Sequence, residues 1–403
     1  HRDLHSFPTR RSSDLKKNLN TVQKTISDDV EYSFIENSWI RRCNEVDRIA
    51  VIPCGFEFDD LVNQRPINAA KHYSAKGYLV LFIAWQWFPQ EPLSKGTAEV
   101  YPNVIQVPLY EFLNYGTTLQ LEAKDCQFIA TMPAPHFRDS INTWRSKGGI
   151  VVYDIMDDWE EFYKAGQAPW YEKQVEESLV VAADYVSAVS PGLRRKFSHM
   201  RSDIAVIGNG YTPSTLGASY RGIAGKTSDD RIVIGYFGHL TDAWFDWELI
   251  LSLAETHTAY TFEIIGYGEP IWIHEKIKQF GNIALVGKVL PSDLHTYVSR
   301  WTIGIIPFVE STLSEAVDPI KIYEYLYFGL PVVVTGISHL GQYPRTYFGT
   351  KFTIHEAISR AITDTTDIDA LNEFLASTTW EARFDQLLKL ITSRKLLSAL
   401  YEN

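Results

Sequence analysis

A chain of 403 residues is too long for one ordinary core and suits two α/β domains of about 150–200 residues each. With 45% hydrophobic and 22% charged residues it is not a disordered chain, and a net charge of −11 argues against general nucleic-acid binding, which needs clustered Lys and Arg. Cys43, Cys54 and Cys126 are scattered, so neither a zinc spacing nor a disulfide framework is present, and no run of 18 apolar residues marks a membrane-spanning helix. These features point to a cytoplasmic protein.

Residues 1–15, HRDLHSFPTRRSSDL, have no periodicity and read as a non-native tail. From Arg48 onward, short β-rich runs alternate with amphipathic helices. Strands are expected at 48–54, 78–85, 104–109, 126–134, 149–157, 184–190 and 204–210. The helices between them include 64–77, which ends on Gly77, 135–149, and a long one running through Val180. Residues 211–230, rich in Gly, Ser and Thr, read as a linker. The alternation restarts with strands at 231–238, 260–268, 282–289, 302–308 and 331–336, separated by helices at 245–256, 271–280, 291–300 and 319–329. A weaker strand near 351–354 and helices near 355–363 and 380–400 complete the chain. Continuous apolar strands joined by helices mean parallel sheets covered on both faces. The pattern therefore predicts an α/β protein with two Rossmann-like, doubly wound domains facing a cleft. Residues 16–210 form the first, 231–375 the second, and 376–403 a final helix returning to the first. Ligands in such sheets sit beyond the carboxyl ends of the strands, so the loops there are searched first.

The strongest local signal is DPIKIYEYLYFGLPVVVT at 318–335. Asp318 suits a helix cap, Pro319 a first helical position, and Gly329 followed by Pro331 a stop. Lys321 then lies in the first turn, where a cation opposes the helix dipole. An anion bound at that end would account for it, and Glu324, one turn on, shares its face. A solvated lysine paired with Glu324 is the alternative.

This segment resembles the donor-site signature of two-domain (GT-B) glycosyltransferases. It is similar to family 4 and to bacterial exopolysaccharide glycosyltransferases, which carry a DPxKxxEYLAxGxPVVxT-like pattern. Weaker similarities fall in the same order at 64–82, 151–162, 234–250, 285–308 and 378–388, so the resemblance runs over about residues 48–390. It implies a hexosyltransferase that moves a sugar from a UDP- or GDP-linked donor to a saccharide or lipid-linked acceptor. The implied setting is polysaccharide or glycoconjugate synthesis, with retention of configuration and without a metal or other cofactor; peripheral membrane contact at the inner face is left open.

The resemblance also implies site residues. The donor would be held by Gly238, His239, Gly266, Gly268, Lys288, Val289, Asp318, Pro319, Ile320, Lys321 and Glu324. Lys321 and Glu324 would also serve catalysis together with Asp157, which would orient or deprotonate the acceptor hydroxyl. By their places at strand ends rather than by resemblance, Trp85, His136 and Asp154 are candidates for the acceptor side, with core packing an equal reading of Trp85 and a structural role the alternative for His136, while Asp158 reads as the cap of the following helix. Two departures stand out: the first acid of the family's E-x7-E pair is replaced by Ala316, with Glu315 one position away, and His239 stands where the family has an Arg. Asp367-Ile368-Asp369 matches a metal-binding DxD pattern but sits in a polar stretch away from any strand end, and reads as a solvated turn. A non-catalytic sugar-nucleotide-binding protein and a sugar-nucleotide epimerase of the same architecture remain alternatives.

Overall fold

The computed structural model describes residues 38–58, 63–122, 124–216, 231–365 and 368–401. The tail read at 1–15 and residues 217–230 of the expected linker lie outside these. Fourteen strands are defined among the described residues: β1 (Arg48–Cys54), β2 (Leu79–Ala84), β3 (Ala98–Tyr101), β4 (Val104–Pro108), β5 (Asp125–Ala130), β6 (Ile150–Ile155), β7 (Tyr185–Ala188), β8 (Ala205–Val206), β9 (Val233–His239), β10 (Thr261–Tyr267), β11 (Ile283–Gly287), β12 (Ile303–Pro307), β13 (Val332–Thr335) and β14 (Thr346–Phe348). By contacts the described chain forms two compact units, 38–153 with 162–184, and 154–161 with 185–401.

In the first unit the strands lie in the order β3-β4-β2-β1-β5-β6. All neighbours pair in parallel except β3, an antiparallel edge strand. The central strands β1 and β2 are buried on both faces almost throughout, which is why RIAVIPC and LVLFIA are continuously apolar rather than alternating. The intervening helix Arg65–Ala75 begins with Pro66 in its first turn and ends before Gly77, whose φ of +85° closes the turn into β2.

In the second unit six parallel strands lie in the order β11-β10-β9-β12-β13-β14. Ile234, Tyr236, Phe262, Ile264, Ile303, Ile305, Val332 and Val334 are buried at the centre of this unit's core. The unit also contains the parallel pair β7–β8 and the final helix Trp380–Tyr401. That helix is held to β7 by Tyr185, whose hydroxyl donates to the Ile391 carbonyl at 3.0 Å.

Several elements differ from the sequence expectations. The single long helix read through Val180 is two, Trp159–Lys164 and Lys173–Ala182, interrupted around Gly166 at φ +76° and Pro169. The late strand is β14 at 346–348 rather than 351–354, where Thr350 and Thr353 instead form a hydrogen-bonded turn that leads into a helix. The stretch read as a solvated turn around Asp369 is the first turn of the helix Ile368–Ser377; Asp367 lies outside the described residues.

Candidate functional site

The site in the second unit begins with the register of two strands. β9 and β10 pair so that Gly238 lies opposite Gly266 and His239 opposite Tyr267. Gly238 has φ +146° and Gly266 φ +155°, conformations that side chains rarely adopt. A Cβ on Gly266 would collide with the Gly238 carbonyl oxygen, so the two backbones approach as closely as they do only because both residues are glycine. The Gly238 turn is fixed from below by Tyr236, whose buried hydroxyl donates to the His239 carbonyl at 3.0 Å.

Lys321 comes to the same turn from another element. It opens the helix Lys321–Tyr327, and a Cβ built on Gly238 would stand 2.8 Å from its Cε and 3.3 Å from its Nζ. The ammonium lies over the rings of Phe308 and Tyr236, 5.2 and 5.5 Å from their centroids, and has no hydrogen bond or ion pair with the described residues. Burial pushes its pKa down to about 8, against the opposing charge of Glu324. A cation with no hydrogen bond or salt bridge among the described residues, beside a glycine turn, is suited to a phosphate.

Asp318 does not cap the helix. The helix starts two residues later than expected, after a turn in which the Pro319 and Ile320 carbonyls accept from the amides of Ile322 and Tyr323. The Asp318 carboxylate, 2% exposed, instead accepts from the Asn209 amide (2.5 Å) and the hydroxyls of Tyr323 (2.7 Å) and Tyr343 (3.4 Å). Asn209 also donates its side-chain amide to the Asp318 carbonyl at 2.6 Å. Asp318 thereby anchors the turn that delivers Lys321. A cap needs its acceptor beside the first free amides of the helix, and here that carboxylate is drawn away by three donors, one of them 109 residues distant.

The acid beside the family's vacant position is also committed. Ala316 is buried, and Glu315 accepts from the Ser338 amide and hydroxyl at 3.1 and 3.0 Å. Among the remaining donor-side candidates, His239 is buried, accepts from the Thr241 amide at 3.3 Å and leans against Trp244 and Tyr267. Gly268 lies beneath its imidazole, which a Cβ there would meet at 2.5 Å. Lys288 is exposed with its ammonium 4.8 Å from the Tyr267 ring centroid, and Val289 is half-buried against the core. Glu324 is half-buried in the first turn of the Lys321 helix.

The three acids after β6 have separate surroundings. Asp154 is fully buried and accepts from the Ser187 hydroxyl at 2.7 Å. Asp158, 2% exposed, accepts from the Glu161 amide as a helix cap and pairs with Lys196 at 2.5 Å. Asp157 is half-buried in the bend between them. In the first unit Trp85 is 6% exposed, its ring 5.0 Å from His136, 5.7 Å from Trp87 and 5.9 Å from Trp170. Neither the Trp85 Nε1 nor the His136 Nδ1 finds a hydrogen-bond partner. Burial pushes the His136 pKa down, with the Glu172 charge pulling the other way.

Asn209, Tyr323 and Tyr343, which hold Asp318, and Arg383, which bonds Asn209 and Tyr323, were not expected from the sequence. Tyr323 lies inside the 318–335 signature, but nothing in the chain's periodicity pairs it with residues 209 or 383.

Two Rossmann-like parallel sheets of this connectivity define the GT-B fold. The same fold is seen in sucrose-phosphate synthase from Thermosynechococcus elongatus, 14% identical, with a TM-score of 0.62 over 88% of this chain and 100% of that one. It is also seen in HepE from Anabaena, solved with UDP and glucose, 14% identical, with a TM-score of 0.56 over 86% of this chain and 99% of that one. Residues 231–363 match the model of the family Glycosyl transferases group 1. A protein from Bacillus subtilis (strain 168) described as a teichuronic acid biosynthesis glycosyltransferase, TuaH, is 23% identical over 253 residues, 57% of this chain. The match spans 60% of TuaH's length. Among the described residues no helix is long and apolar enough to cross a membrane.

Proposed function

We propose that this protein is a glycosyltransferase that moves a sugar from a UDP- or GDP-linked donor to a hydroxyl of a saccharide or lipid-linked acceptor, with retention, in polysaccharide synthesis. The observation that carries the reading is the Lys321 ammonium, with no hydrogen bond or salt bridge among the described residues and set against the Gly238 turn, within the segment matched to the group 1 family.

When the bond from sugar to nucleotide breaks, negative charge grows on the leaving diphosphate, and preorganised donors stabilise it most. Lys321 supplies a partly desolvated cation, and the Gly238 and Gly266 turns supply backbone that can approach closely. We assign the donor to 231–375, with Asp318, Pro319 and Ile320 presenting Lys321, and with His239, Gly268, Lys288, Val289 and Glu324 around the nucleotide and sugar. The acceptor is assigned to 16–210, with Asp157 facing its hydroxyl and Trp85, His136 and Asp154 shaping that side. Incubation with labelled UDP- and GDP-sugars and oligosaccharide acceptors tests this. Transfer by the wild type and its loss in Lys321→Ala support it, and no turnover of any nucleotide sugar by folded protein overturns it.

A further inference from the structure

The second unit holds a cavity of about 260 Å³ whose lining includes Gly208, His339, Gln342, Tyr343, Thr378 and Arg383. None of these residues belongs to the Gly238–Lys321 turn. We propose that this cavity is a second binding site, for a phosphate group held between Arg383 and His339.

The guanidinium of Arg383 has five N–H groups and is always charged. It donates from Nε to the Asn209 carbonyl at 3.0 Å and from Nη2 to the Tyr323 hydroxyl at 3.3 Å. Its other N–H groups have no acceptor among the described residues. The two bonds fix the fork in place while leaving donors to spare, and a fixed fork matches the oxygens of a phosphate.

His339 supplies the second half. Both ring nitrogens are buried and neither has a hydrogen-bond partner. One of them carries a proton in any state, so a buried donor goes unused, which ordinarily costs about 1–3 kcal/mol. An oxyanion would accept it. Burial holds the imidazole pKa down, with the charges of Asp318 and Glu315 pulling up and Arg195 pushing down. An anion beside the ring favours the imidazolium, which would offer both nitrogens as donors.

The neighbouring carboxylates do not already fill this role. Asp318 is occupied by Asn209, Tyr323 and Tyr343, and Glu315 by Ser338. Gly208 keeps the floor bare: a Cβ there would meet the Asp318 Oδ2 at 2.7 Å and the Arg383 Nη2 at 3.1 Å. Size narrows the ligand. At about 260 Å³ the cavity lies at the small end of the roughly 300–1,000 Å³ of ligand pockets and has room for a phosphate or a small sugar phosphate.

Thermal unfolding of the full chain, titrated with inorganic phosphate against chloride at matched ionic strength, tests the site. Lys321→Ala removes binding at the donor turn. His339→Phe removes the two ring nitrogens without breaking any hydrogen bond, so it should fold even if Arg383→Gln does not. The expected result is a saturable rise in Tm in the wild type and in Lys321→Ala, with apparent phosphate affinity weakened about tenfold or more in His339→Phe. A parallel titration with hexose 6-phosphate separates the sources. Tighter binding than phosphate assigns a phosphorylated sugar and equal binding assigns free phosphate; either supports the site. No saturable shift in the wild type, or one undiminished in His339→Phe, overturns it.

Discussion

Gly238 and Lys321, 83 residues apart, meet so closely that a single methyl group on the glycine would stand 2.8 Å from the lysine's Cε. The glycine turn and the half-buried ammonium lie side by side, and most of the predictions below follow from disturbing one or the other.

Lys321 should be a burden to the ligand-free protein. Its pKa is held near 8, below the 10.5 of an ordinary lysine, by burial. The unfolded chain therefore binds more protons between about pH 8 and 10.5, and this group makes the folded state gain stability as pH rises through that window. Below pH 8 the full penalty applies. Lys321→Met is expected to raise stability at pH 7 by about 1–3 kcal/mol while abolishing nucleotide binding. Denaturant titrations of both proteins at pH 7 and pH 10 check it: the gap should narrow at the higher pH.

Gly238→Ala places a side chain at φ +146° and drives it into Lys321. A stability loss of about 1–3 kcal/mol is expected, with a larger proportional loss of nucleotide affinity. Equilibrium unfolding and nucleotide titration on the same preparation separate the two effects.

Asp318→Asn replaces one acceptor oxygen with a donor while Asn209, Tyr323 and Tyr343 all still point at it. Unmatched buried donors cost about 1–3 kcal/mol, so Tm should fall. The turn carrying Lys321 would loosen, and nucleotide affinity should fall with it. An unchanged Tm would show that the carboxylate is not the anchor.

The acids after β6 should divide cleanly. Asp158 is buried, caps a helix and pairs with Lys196, so Lys196→Met leaves a buried charge behind and should destabilise by about 3–5 kcal/mol. Asp157→Asn, in the half-buried bend, is expected to lower turnover and to cost less stability than the loss of Lys196. Unfolding curves and steady-state rates on both variants make the comparison.

Much of this was legible in the sequence because the relevant signals are local. The central strands of both sheets are continuous apolar runs, and glycine at a strand end and lysine at a helix start are the local cues that single out Gly238 and Lys321. What could not be read depends on distant partners. Asp318 reads as a cap because Asp before Pro usually caps; only the fold shows Asn209 and Tyr343 claiming it. β14 was misplaced because Thr346–Phe348 is three residues long, and its strand character comes from pairing with β13 rather than from its own pattern. The pair formed by Asp158 and Lys196 spans 38 residues with no periodic cue.

The most direct test is nucleotide binding to wild type and Lys321→Ala, read by thermal shift with UDP, GDP and ADP. A nucleotide at 100 times its Kd stabilises a protein by about 2.7 kcal/mol when only the folded state binds it. A shift of that order with UDP or GDP, lost in Lys321→Ala, is the predicted result. No shift with any of the three in folded wild-type protein, or a shift that survives unchanged in Lys321→Ala, would contradict the assignment of the Gly238–Lys321 turn to the donor diphosphate.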